Sequence, residues 1–225
     1  YEGQVAEVLA AQVRGIESQY IGDELVESTL AEAELEADHP DAAEAAAVRA
    51  LAANPHSTEA MVLKARAIED SAKGADGGAR KNLFEQAREE FIAANKIDTE
   101  DPEPLYDYYW SYLQEGIRPT DNAIAALHYA SDLAPQDIGL RQALGLNLHR
   151  LERYDLALPH FDAVIAAQPA LAPAHAARGA TLEVMGDIRG AQAAYERALA
   201  LQPQNLAALS GLASLASRRG RHAEA

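Results

Sequence analysis

Three segments of this chain close on a proline at one constant interval. "SDLAP", "VIAAQP" and "ALALQP" end at Pro135, Pro169 and Pro203, thirty-four residues apart. A step of that length marks a helical-repeat array, in which each helix pair buries its apolar face against the next. The same step relates Ala123, Ala157 and Ala191; Leu127, Phe161 and Tyr195; Ala130, Val164 and Ala198; and Ser111, Gly145, Gly179 and Ala213. Small and bulky columns alternate because antiparallel helices cross closely at Gly or Ala while large side chains fill the gaps.

The segment "HAARGATLEVMGDIRGAQAAYERALALQPQN" holds Gly179, Leu182, Gly186, Ala191, Tyr195, Ala198 and Pro203 in register; Leu144, Gly145, Tyr154, Ala157, Phe161 and Pro169 repeat the pattern one unit earlier. These residues resemble the tetratricopeptide repeat (TPR) family, with His175 where the family carries a large aromatic. The resemblance implies an all-α fold, a right-handed superhelical solenoid of antiparallel helix pairs, each a helix A followed by a helix B.

Carried along the chain, the register predicts five units over 24–205: 24–57, 58–103, 104–137, 138–171 and 172–205. The second has a Gly-rich insertion near 71–82, where Gly74, Gly77 and Gly78 predict a mobile surface loop. Residues 206–225 read as the first helix of an incomplete sixth unit. Residues 1–23 read as a capping or linker helix built on Val5, Val8, Leu9, Val13 and Ile16. A start at Tyr1 without Met, and a last unit lacking its second helix, suggest a piece of a longer protein. The run "EPLYDYYWSYLQEGIRPTDNAIAALHYASDLAPQDIGLR" is also similar to the C-terminal repeat regions of bacterial proteins that carry a metallopeptidase-like domain ahead of their repeats.

Composition and motifs argue for binding and against chemistry. The chain lacks Cys, which excludes disulfides and thiolate catalysis and leaves cytoplasm and periplasm both open. No run approaches a membrane span, so no membrane insertion is expected. Net charge is −16, and residues 1–103 hold 23 acidic against 9 basic side chains, a poor match for nucleic acid or anionic lipid. The sharper consequence is a basic partner steered to the N-terminal half. The glycines near 74–78 lack the phosphate-loop order, His149 and His160 lack an acidic third metal ligand, and no carboxylate pair is isolated in an apolar setting. The chain by itself is therefore expected to be no enzyme and to carry no cofactor or metal.

The family resemblance implies a concave groove lined by the second, fifth, sixth, ninth, twelfth and thirteenth places of each helix A. Taking Glu24, Thr58, Pro104, Ile138 and Ala172 as first places, the candidate groove comprises Leu63 and Arg66, then Tyr108, Tyr109 and Tyr112, then Gln142, Leu146, His149 and Arg150. "LYDYYWSYL" is either binding hot spot or inter-repeat core, with Tyr108 and Tyr112 assigned to the groove and Trp110 and Tyr106 to the core. The register there is open by one residue. Ser28, Glu32, Val62 and Leu63 stand where a chaperone-tail clamp needs basic or Asn side chains, which argues against that use. The expectation is a non-catalytic scaffold binding a peptide or extended protein segment. The alternatives are a recruiting arm of a larger, possibly peptidase-like, enzyme and self-association through a C-terminal edge of Leu206, Leu209, Leu212 and Leu215.

Overall fold

In the computed structural model the chain is described over residues 2–17, 20 and 22–223; the two chain ends, Tyr1 and Ala225, lie outside the described residues. Twelve α-helices and no strand occur among the described residues: α1 Glu2–Glu17, α2 Glu24–Glu36, α3 Pro40–Ala53, α4 Thr58–Ala72, α5 Gly77–Ile97, α6 Pro102–Glu115, α7 Asp121–Leu133, α8 Ile138–Arg150, α9 Tyr154–Ala167, α10 Ala172–Met185, α11 Ile188–Leu201 and α12 Leu206–Ala223. They fall into two compact units, Tyr1–Leu133 and Ala134–Ala225. Within each, consecutive helices pack on one another.

Short polar side chains open five of the six helix A elements among the described residues; the other, α10, is preceded by an apolar residue, Leu171. Asp23, Ser57, Asp101 and Asp137 accept hydrogen bonds from the free N–H groups of the first turns of α2, α4, α6 and α8, and Asn205 does the same for α12. The B helices repeat one buried triplet. Ala43, Ala47 and Ala50 on α3 become Ala87, Phe91 and Ala94 on α5, Ala123, Leu127 and Ala130 on α7, Ala157, Phe161 and Val164 on α9, and Ala191, Tyr195 and Ala198 on α11. This i, i+4, i+7 stripe is the helix face turned to the core.

The turns reveal a register change. The residue fourteen places after the start of α2, α6, α8 and α10 takes a left-handed conformation: Asp38, Gly116, Glu152 and Gly186. The third helix A therefore begins at Pro102, two residues ahead of the predicted Pro104, while Ala123 on its partner keeps the thirty-four-residue step. The two additional residues lie in the turn "EGIRPT".

Other expectations meet the structure differently. The Gly-rich segment near 71–82 forms no long loop: α5 starts at Gly77 and runs 21 residues. Phe84 is fully buried, and Arg80 lies over its ring while donating to the carbonyls of Ala72 and Gln114. That anchoring holds the first turns helical despite two glycines. On α1 the buried stripe is Ala6, Ala10 and Val13, whereas Val5, Val8, Leu9 and Ile16 are exposed. At the far end Leu215 is buried and Leu212 packs on the same cluster, so of the predicted apolar edge only Leu206 and Leu209 stay open. Pro159, which local backbone chemistry expects to bend the helix or delay its start, lies inside α9, and α9 and α11 start thirty-four residues apart.

Candidate functional site

The register change alters which aromatic residues of α6 fall at the expected groove places. Two residues of α-helix are about 200 degrees of rotation, nearly the opposite face. Counted from Pro102, the expected groove places of α6 are Glu103, Tyr106, Asp107, Trp110, Leu113 and Gln114, and four of these six line a cleft of about 490 Å³. Leu35 from α2 and Arg66, Glu69 and Asp70 from α4, with Lys73 just after it, complete the lining. Trp110 is 40% exposed, its ring stacked on Tyr106 with centroids 6.1 Å apart and planes 14° from parallel.

Charges in the cleft are coupled. Arg66 donates to Asp107 Oδ2 from Nε at 2.8 Å and to Glu103 Oε1 from Nη2 at 2.7 Å. Burial alone would lower the Arg66 pKa; the two carboxylates outweigh it and raise it. Asp107 nevertheless moves up, to about 6, because burial exceeds what Arg66 returns. Glu69 is pushed to about 8, first by burial and then by Asp107. Its Oε2 accepts from Gln114 Nε2 at 3.2 Å while its Oε1 has no hydrogen-bond partner. Lys73 pairs with Asp70 at 2.7 Å.

Of the residues read from the sequence as groove-forming, Arg66 lies in the cleft. Tyr109 is only 1% exposed and Leu63 is also buried, so neither is open to a partner. Tyr112 is buried under the Arg88 guanidinium, 3.8 Å from its ring centroid. Tyr108 meets Tyr112 edge-on, hydroxyl to hydroxyl at 3.2 Å, and lines a separate pocket of about 230 Å³ with Phe91, Ile92, Leu105 and Ala126. Arg88, itself buried, also donates to Ser111 and pairs with Glu115. The Tyr108–Tyr112 side thus ties α5 to α6. Against the expectation, Tyr112 is buried and Trp110 is exposed, while half-buried Tyr106 lines the cleft and half-buried Tyr108 the separate pocket; the two residues added in the following turn shift the places of α6 by two. The exposed Trp110 was visible in the sequence as the lone Trp; its direction was not.

In the second unit, Gln142, Leu146, His149 and Arg150 follow one another along one face of α8, half-buried except for the exposed Arg150. His149 Nδ1 lies 3.0 Å from Thr181 Oγ1, and its ring packs edge-on to Tyr154. Burial, and then the Arg150 charge, lower its pKa. These contacts make His149 a bridge between α8 and α10. No group of His, Asp and Glu positioned to hold a metal occurs among the described residues.

A sequence model of the tetratricopeptide repeat matches residues 176–225. The helix pairs, the buried triplets and the left-handed turns extend the same architecture over the earlier units. The protein carries tetratricopeptide repeats.

No curated protein matches the chain. Among solved structures this TPR chain is similar to YrrB, described as a TPR protein with an unusual peptide-binding site: 19% identity, 89% of this chain and 97% of that one covered, TM-score 0.66. It is similar to MamA at 20% identity, covering 80% and 92%, TM-score 0.63. For pilF of Pseudomonas aeruginosa the values are 18%, 88%, 84% and 0.72. At these identities the likeness establishes the helical-repeat fold alone. Among the described residues no helix is long and apolar enough to cross a membrane.

Proposed function

We propose that the helix A face of the first unit captures an extended peptide, with Trp110 and Tyr106 as its anchors. The observation that supports this is the stacked, solvent-facing ring pair above a cleft of about 490 Å³. A Trp 40% exposed in a chain that can bury apolar residues elsewhere is ready-made contact area, and aromatic anchors in pockets dominate binding energies. The similarity in fold to YrrB, a TPR protein with a peptide-binding site, agrees in kind.

The test is selection from a random peptide display library, followed by calorimetric titration of the selected peptide, a readout that survives replacement of Trp110, the only Trp. Trp110→Ala, or Tyr106→Ala, weakens binding by about 2 kcal/mol, a loss typical of a hot-spot aromatic, with little change in melting. Tyr109→Ala costs roughly 3–5 kcal/mol of stability, because its ring is core. Undiminished binding by Trp110→Ala would place the peptide site elsewhere.

A further inference from the structure

The helix A face of the first unit carries more negative charge than its own cations neutralise. Arg66 is engaged by Asp107 and Glu103, and Lys73 by Asp70. Glu69, 3% exposed, lines the same cleft with Oε1 unmatched, although a buried polar atom without a partner is costly. At the other end of α4, Glu59 stands among Glu24, Glu32 and Glu103; burial first, then these charges, hold its carboxyl above the usual range. Beside the carboxylates of the cleft lie the stacked faces of Tyr106 and Trp110. Carboxylates next to an open aromatic face suit a guanidinium, which is planar, donates in a fork and stacks on rings. An anionic ligand is repelled there, and an ammonium makes less of the rings.

We propose that this cleft is a receptor for an arginine side chain of an extended peptide, whose guanidinium lies against the Trp110–Tyr106 pair and donates to Glu69 and Asp70. This rests on the peptide-capture reading and adds the class of residue recognised. The charged groups around Glu69 are Arg66, Asp70 and Lys73 on its own side, Arg88 from α5 and Asp107 from α6. Burial keeps Glu69 protonated up to about pH 8, so an entering guanidinium displaces that proton. Binding therefore releases a proton and tightens as pH rises.

Trp110 is the only Trp, so its fluorescence reads the cleft. Short alternating Arg–Leu, Lys–Leu, Gln–Leu and Glu–Leu peptides are titrated against the full chain. The Arg–Leu peptide binds about tenfold or more tightly than Gln–Leu, a difference of about 1.4 kcal/mol. Lys–Leu falls between them and Glu–Leu gives no response. Arg–Leu affinity rises between about pH 6 and pH 9 in the wild type and stays flat in Glu69→Gln. Asp70→Asn provides a second variant with a reduced Arg preference, should Glu69→Gln lower the melting temperature. The double variant Asp41→Asn with Glu89→Gln removes exposed charges outside the cleft and keeps the preference. Equal Arg–Leu and Gln–Leu affinities overturn the arginine receptor and leave peptide capture standing. So does an Arg preference that the control double variant loses to the same degree, which would reflect bulk attraction to an acidic chain. No Trp110 response to any of the four peptides also overturns it, while the library selection decides peptide capture separately.

Discussion

At the scale of single residues, two glycines and one carboxylate carry the sharpest consequences. A Cβ on Gly179 would lie 2.7 Å from Tyr195 Cδ1, and the opposite helix closes on the same ring at Gly211. Tyr195 is held further by its hydroxyl, which donates to Glu183 at 3.0 Å. The ring cannot step aside, so Gly179→Ala costs roughly 1–3 kcal/mol by overpacking, and Gly179→Leu costs more. Periodicity alone makes Ala the mild replacement; the grip on both faces of the ring removes that margin. Urea unfolding measures it, and an unshifted midpoint for Gly179→Ala would show that the ring has room. Glu69 gives a pH effect of definite sign. Its folded pKa of about 8 lies above the ordinary 4.5, so its contribution is fully present below about pH 4.5 and is lost as pH rises through 8. Asp107, raised to about 6, acts in the same direction in a lower window. Glu69→Gln therefore melts higher than the wild type at pH 9, by an order of 1 kcal/mol or a few degrees, and the gap narrows towards pH 5. Thermal scans of both proteins across that range check it, and parallel curves would mean that Glu69 titrates normally.

At the scale of elements, most boundaries were legible because local chemistry sets them. Asp23, Ser57, Asp137 and Asn205 are short acceptors one residue ahead of a periodic apolar stripe, the pattern of a capped helix start. The start of α5 was not legible, since glycines at 77 and 78 read locally as loop, and only burial of Phe84 and the reach of Arg80 to Gln114 keep the segment helical. Gly78 is helical with nothing within 4 Å of a built Cβ, so Gly78→Ala stabilises by about 0.5–1 kcal/mol. A neutral or harmful effect would restore the loop. The left-handed turn at Glu152 gives a parallel case. Its exposed side chain holds φ 59°, where Gly186 stands one repeat later, so Glu152→Gly gains on the order of 1 kcal/mol. Chemical denaturation of the two variants distinguishes these gains from ordinary surface neutrality.

At the scale of the whole molecule, stability is distributed: each repeat leans mainly on its neighbours, as in other solenoids. Trp110 belongs to the first unit and Gly179 to the second. Gly179→Leu therefore lowers the far-UV circular dichroism transition more than the Trp110 fluorescence transition. Coincident, equally shifted transitions would mean that the two units unfold as one.

What the sequence by itself determined is the repeat: the thirty-four-residue step, the columns of small and bulky residues and the helical class follow from short-range periodicity, which neighbouring residues impose on one another. Only the tertiary structure decided which face of α6 looks outward. A turn lengthened by two residues leaves every local pattern intact while rotating the helix by about 200 degrees, so Trp110 rather than Tyr109 reaches the cleft. The same holds for Glu69, an ordinary helix-surface carboxylate in sequence. Its unmatched oxygen and raised pKa exist because α4 and α6 close over it.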